Sequence, residues 1–220
     1  MQRNHYVYFS IKFILKHALI VLLLNFSVAC ISAQDLALWK KEMLEAANTG
    51  ATATYLTDEE KKVLLLVNLA RIDGKAFITN VLDPFVKETN PEDNDYLKSL
   101  YTDLRDLPAL SAMAPLDKLC QSAGFHANDM GVKGTTGHNS SDGTKCFDRI
   151  HKYHHGGFMA ENCSYGYSDA LNIVMQLLID DGIASKGHRT NILSPNYKRI
   201  GISIKPHKGY RYNCVMDFSD

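Results

Sequence analysis

Four side chains in this 220-residue sequence have the types and placement to do chemistry: His138, Glu161, Asp181 and His188. Two imidazoles and two carboxylates make a sensible set around a divalent metal. Neutral histidines ligate, and carboxylates orient them or complete the coordination. On this reading His138 and His188 are the ligands, Glu161 and Asp181 the acid partners, and zinc the expected ion. The same four groups could do metal-free acid–base work, because a carboxylate tunes a neighbouring histidine near neutral pH. Sequence separations of 23, 20 and 7 residues do not by themselves bring them together. The intervening elements must.

Polar residues flank each of the four. Asn162 follows Glu161, and Arg189 and Asn191 follow His188. All three are expected to serve the fold: Asn162 by hydrogen bonds to backbone, Arg189 by pairing with a carboxylate, and Asn191 by holding a turn. Ser140 and Ser185 read as loop and capping serines rather than nucleophiles. No Gly-x-Ser-x-Gly, His-Glu-x-x-His or papain-like cysteine motif is present, so standard hydrolase machinery is missing. His154-His155, beside Gly156-Gly157, is either a second metal spot or, more simply, a mobile surface loop.

The elements that must position these groups can be read from periodicity. Thr57-Asp58-Glu59-Glu60 forms a capping box that starts an apolar helix over Val63 to Ile72, with Asn68 and Arg71 as its polar exceptions. Residues 75–108 are read as a helical stretch stopping at Pro84, a loop at 90–95 and a short helix near Tyr96 to Leu104, with no chemistry assigned. Pro115 suits the first turn of the next helix, whose stripe runs through Leu116, Leu119, Cys120, Ala123, Ala127 and Met130. His126 lies at its edge, as a packing histidine. A polar loop covers 131–159, and Ala160 to Tyr165 reads as extended. Ser168 to Asp181 reads as a helix whose apolar face, continued, carries Asp181 inward in preference to Asp180. The chain finishes in a hairpin: Ile200, Ile202 and Ile204 alternate, a turn follows at His207-Lys208-Gly209, and Tyr212, Cys214, Met216 and Phe218 alternate again.

Composition excludes some functions. With 24 basic and 24 acidic residues the formal charge is zero, which argues against nucleic acid as a partner. Residues 1–33 read as a signal peptide: Arg3, Lys12 and Lys16 precede a twelve-residue apolar run, Ala18 to Ala29, too short to span a bilayer comfortably. The expected mature chain has no transmembrane segment and is secreted or periplasmic, with a lipid anchor on Cys30 as the minor alternative. In an oxidising compartment Cys120, Cys146, Cys163 and Cys214 would form two disulfides. Asn139 and Asn162 head Asn-x-Ser sequons, which matter only in a glycosylating host.

The ordered motifs resemble the CAP superfamily (cysteine-rich secretory protein, antigen 5, pathogenesis-related 1; SCP-like), in its bacterial secreted form. The pattern is Asn68 and Arg71; the helix Ala123 to Met130; His138 and Ser140; Ala160-Glu161-Asn162; Ser185 to Leu193; Tyr197, Ile200 and Gly201; and Phe218. It covers residues 57–220, behind a lead-in and linker at 34–56, and leaves 75–108 as an insertion. The resemblance implies an α+β fold, a three-layer α-β-α sandwich around a mainly antiparallel sheet, with a central cleft where two histidines and two acids meet. His138, Glu161 and His188 match its motifs; the second acid does not match cleanly. It also implies a range of uses: divalent metal, a small apolar ligand such as a sterol or fatty acid, a protein partner, or hydrolysis. The expected function is an exported binding module with a metal in its cleft. The alternatives are a hydrolase using His138, Glu161 and His188, and lipid binding.

Overall fold

A computed structural model describes residues 38–220. The expected signal sequence and Cys30 lie outside the described residues. A short helix α1 (Lys41–Ala47) leads into α2 (Asp58–Ile72). The expected capping box starts α2: Thr57 Oγ1 accepts from the Glu60 amide at 3.3 Å, and Glu60 Oε2 accepts from the Thr57 amide at 2.8 Å. Glu60 Oε1 also accepts from the Ile204 amide at 2.8 Å, so the cap fastens the helix to the sheet.

The polar residues of α2 are buttresses. Asn68 is fully buried, gives its amide to the carbonyls of Ala47 and Met113 and accepts from the Met113 amide. Arg71 donates to the carbonyls of Ser111, Ile192, Ser194 and Tyr197, gathering two segments of chain around one guanidinium. Burial with no carboxylate beside it pulls the Arg71 pKa down to about 10.

Pro84 does not end the helical stretch that begins at Gly74. Gly74–Phe77 (α3) runs through a π-helical turn at Ile78–Leu82 into α4 (Asp83–Thr89), with Pro84 in the first turn of α4. A proline is tolerated at a helix start, where its missing N–H has no partner to lose. Asn90, left-handed at φ 45°, closes α4, and Asn94 caps α5 (Asp95–Asp106) by accepting from the amides of Tyr96 and Leu97.

Pro115 is likewise outside its expected helix. It pairs in parallel with Ile200 in β1 (Ala114–Pro115), and α6 runs Asp117–Lys133. After α7 (Cys146–His151) come β2 (Met159–Tyr165), α8 (Ala170–Ile179), α9 (Gly187–Ile192) and the hairpin β3 (Arg199–His207) and β4 (Arg211–Ser219). Sheet order is β1-β3-β4-β2, antiparallel except at β1, so β2 is an edge strand.

The fold is α+β in three layers. Ile200, Ile202, Cys214, Met216 and Phe218 bury one sheet face against α2 and α8. The opposite face lies under α6, where Ala123, Ala127 and Met130 meet Cys163 and Val215. That contact is close: a Cβ on Gly201 would stand 2.1 Å from the Leu119 carbonyl carbon, so only glycine fits.

The two expected disulfides are not formed. Cys120, Cys146, Cys163 and Cys214 are free thiols. Cys163 and Cys214 sit on neighbouring strands but in different cores on opposite faces of the sheet, so their side chains point apart. Burial pushes all four thiols up, Cys120 to about 12, which leaves them protonated and unreactive.

Candidate functional site

Two histidine–carboxylate pairs stand on either side of the edge strand. The first is built on β2. Its alternation turns Glu161 toward the α6 layer, and Glu161 Oε1 accepts from His138 Nδ1–H at 2.9 Å. Glu161 is almost wholly buried while the His138 side chain is half exposed. The other oxygen of Glu161 takes a short hydrogen bond and ion pair from Arg149, a buried residue of α7 whose second nitrogen holds the His138 carbonyl at 2.8 Å. Burial pushes the Glu161 carboxyl up, but the His138 hydrogen bond and the Arg149 charge outweigh it and hold it below the ordinary range. In return the Glu161 hydrogen bond raises the His138 pKa.

Behind this pair lies a second buried layer. His126 is fully buried on α6; its Nε2–H donates to the Gly137 carbonyl at 2.9 Å and lies 3.8 Å from Glu161 Oε1. Burial lowers its pKa, so the ring is neutral. Asp217, opposite Glu161 in the β2–β4 register, is fully buried with no hydrogen-bond partner among the described residues for either carboxyl oxygen. Burial, and then the Glu161 charge, raise it far above the usual carboxylate range, so it is held as the neutral acid.

The second pair is built at a helix end. The acid that meets His188 is Asp180, not Asp181. Helix α8 stops at Ile179, and Asp180 takes a left-handed conformation (φ 58°, ψ 38°) that turns its side chain inward. Asp181 is exposed beyond that turn. The expectation of Asp181 carried the helical period two residues too far. Asp180 Oδ1 accepts from His188 Nδ1–H at 2.7 Å, and Oδ2 accepts from the amides of His188 and Arg189 at 2.9 and 3.3 Å.

The flanking polar residues lock this geometry. Asn162 gives its amide to the His188 carbonyl at 2.9 Å, and Asn191 donates to Asn162 Oδ1 at 2.8 Å, which ties α9 to β2. Arg189 is buried and donates to the carbonyls of Leu178, Ile179 and Tyr96 and to Ser99 and Asp103. It therefore clamps α5 to the end of α8. Ser140 is buried under Arg149 and Ser185 is exposed. His154 donates to or accepts from Ser219 at 3.0 Å, while His155 stacks on His151.

His138 and His188 line one cavity of about 1210 Å³, together with Cys163, Tyr165, Gln176 and Asp180. With both Nδ1–H groups donated to carboxylates, the neutral form of each ring carries its lone pair on Nε2. A separate donor group is wholly buried: ligand atoms of His126, Glu161 and Cys163 lie within 4.8 Å of one another, and this group could hold a metal.

Sequence reasoning did not place His126, Arg149, Asp180 or Asp217 in the site. Asp217 had a signal: with Met216 and Phe218 facing the apolar core, it must face the other layer, where a lone carboxyl would be buried. Arg149 had none, since its helix of six residues is too short to show a period.

The profile of the cysteine-rich secretory protein (CAP) family matches residues 99–218. The chain belongs to that family. No curated protein matches it significantly. Three solved bacterial structures are similar. An extracellular SCP-domain protein of Bacillus anthracis is 21% identical, with a TM-score of 0.43. An outer surface protein of Borrelia burgdorferi is 23% identical, with a TM-score of 0.43. A cysteine-rich secretory protein of Staphylococcus aureus is 18% identical, with a TM-score of 0.40. The matches cover 56, 58 and 59% of this chain and 38, 94 and 40% of the three solved chains in turn. The CAP profile begins inside α5, so most of residues 75–108 lies ahead of it.

Proposed function

We propose that this CAP chain is an exported binding module whose cleft holds a divalent cation, zinc in the first instance, between His138 Nε2 and His188 Nε2. A small ligand or a protein partner would dock above it. One observation carries the reading: two histidines lining a single cavity, each with Nδ1 fixed by its own carboxylate. A carboxylate on Nδ1 is the outer arrangement that fixes the tautomer of a zinc-binding imidazole and raises its basicity. A bound zinc would supply a Lewis-acid centre there. This chain's own residues orient the two rings through the carboxylates that hold their Nδ1 atoms.

The buried His126, Glu161 and Cys163 group is a poorer host. Glu161 is already engaged by Arg149 and His138, His126 Nε2 by the Gly137 carbonyl, and burial keeps the Cys163 thiol protonated. Hydrolysis in the same cleft has one supporting observation, a half-exposed His138 whose pKa Glu161 raises, as a general acid–base pair requires.

Among the described residues no helix is long and apolar enough to cross a membrane. Export is carried by the leader sequence of residues 1–33. Calorimetry on the mature chain tests the metal reading: about one zinc per chain is expected, and the paired substitution His138→Ala with His188→Ala should abolish the heat. Equal binding by the double variant contradicts it. Casein or peptide cleavage that disappears in Glu161→Ala would instead establish the hydrolase.

A further inference from the structure

The cavity does not end at the histidines. Asp169, Asn172, Gln176 and Ile179 all line it, and their spacing of i, i+3, i+7, i+10 puts them on one face of α8. The cavity therefore follows α8 from its cap to its last residue, roughly 15 Å at 1.5 Å per residue. That length matches about five residues of extended peptide.

Its two ends differ in charge. At the hairpin end stand Tyr165, Tyr212 and Arg211. Toward the other end the insertion contributes Phe85, Glu88 and Glu92 to the lining, which also includes Asp181. Glu88, Glu92 and Asp181 are exposed, and none has an ion-pair or hydrogen-bond partner for its carboxylate among the described residues. Arg211 is the only lysine or arginine in the lining. Arg189, next to His188, holds α5, the helix that follows Phe85, Glu88 and Glu92 in the chain, against the end of α8 through five hydrogen bonds.

We propose that the insertion makes this cleft a groove for an extended, basic peptide segment of a partner protein. Lysine or arginine side chains would lie against Glu88, Glu92 and Asp181, and the backbone would run along α8 past the two histidines. Charge complementarity favours this occupant over an apolar one, since unpaired carboxylates on one wall would be desolvated by a lipid without compensation. The inference rests on the cleft being the binding site, as above, but not on the ion.

Fluorescence anisotropy with a labelled, N-acetylated hexapeptide alternating lysine and alanine tests this, with the glutamate–alanine peptide as its control. The lysine peptide should bind and weaken as salt is raised to about 0.5 M, where the screening length falls to a few ångströms. The combined substitution Glu88→Gln, Glu92→Gln and Asp181→Asn should cost about tenfold in affinity, the sum expected of three partly screened charge pairs. These side chains are exposed, and circular dichroism should show the triple variant folded. In His138→Ala with His188→Ala, zinc binding should be lost while the lysine peptide still binds, which separates failure of the metal reading from failure of this one. No binding of the lysine peptide, equal binding of both peptides, or full affinity in the triple variant overturns the proposal.

Discussion

The two histidine–carboxylate pairs present the same group to the cleft by different means. His138 leans on a carboxylate embedded in charge: Glu161 is shared among an imidazole and a buried guanidinium, with a neutral acid, Asp217, opposite it. His188 leans on a carboxylate held by backbone: Asp180 is a left-handed cap whose second oxygen takes two amides of α9. The difference is one of what each pair costs to break. A buried ion network leaves an uncompensated charge when one member goes, whereas a capped turn loses hydrogen bonds that water or an amide can partly replace.

The largest effect should therefore come from Glu161→Gln, which strands the Arg149 guanidinium. Urea unfolding is expected to show a loss of about 3–5 kcal/mol. Asp180→Asn keeps an oxygen for the α9 amides and a residue tolerant of the left-handed turn, so its loss should be smaller, about 1–2 kcal/mol. Equal losses at the two sites would erase the contrast. Asp181→Asn, on the exposed side of the turn, should stay within about 0.5 kcal/mol and leave zinc affinity unchanged. A fall in zinc affinity at Asp181 but not at Asp180 would reverse the assignment of the second acid.

Asp217 gives the most specific effect, a change of slope. Its folded pKa is raised above the ordinary 3.8, so the folded state binds more protons than the unfolded state as pH climbs past that value. Its contribution to stability is therefore present at low pH and is lost as pH rises toward the folded pKa, at no more than about 1.4 kcal/mol per pH unit. Denaturation curves from pH 4 upward should show Asp217→Asn gaining on the wild type as pH rises. A constant difference across that range would mean that Asp217 is ionised in the folded protein.

How far the sequence could be read follows the same division. Elements with a clean period were legible: the capped α2, the stripe of α6, the edge strand and the terminal hairpin. His138 and His188 were reached through their motifs, and they do line one cavity. What could not be read was decided by single backbone conformations and by long-range partners. The apolar face of α8 pointed to Asp181, because nothing in a helical period announces that Asp180 will turn to φ 58°. Pro84 read as a stop, because a π-helical turn ahead of it leaves no mark in the pattern. Arg149 lies on a helix of six residues, too short to show a period, so its pairing with Glu161 is visible only in three dimensions. The insertion showed no chemistry in sequence, since its carboxylates acquire meaning only from the cavity they border.

The central claim is that the metal-binding atoms are the two Nε2 atoms in the cleft rather than the buried donors behind them. X-ray absorption of the zinc-loaded chain tests this directly. The account predicts two imidazole nitrogens at about 2.0–2.1 Å and no sulfur scatterer. A zinc–sulfur shell at about 2.3 Å would place the ion on Cys163 in the buried group and contradict the account.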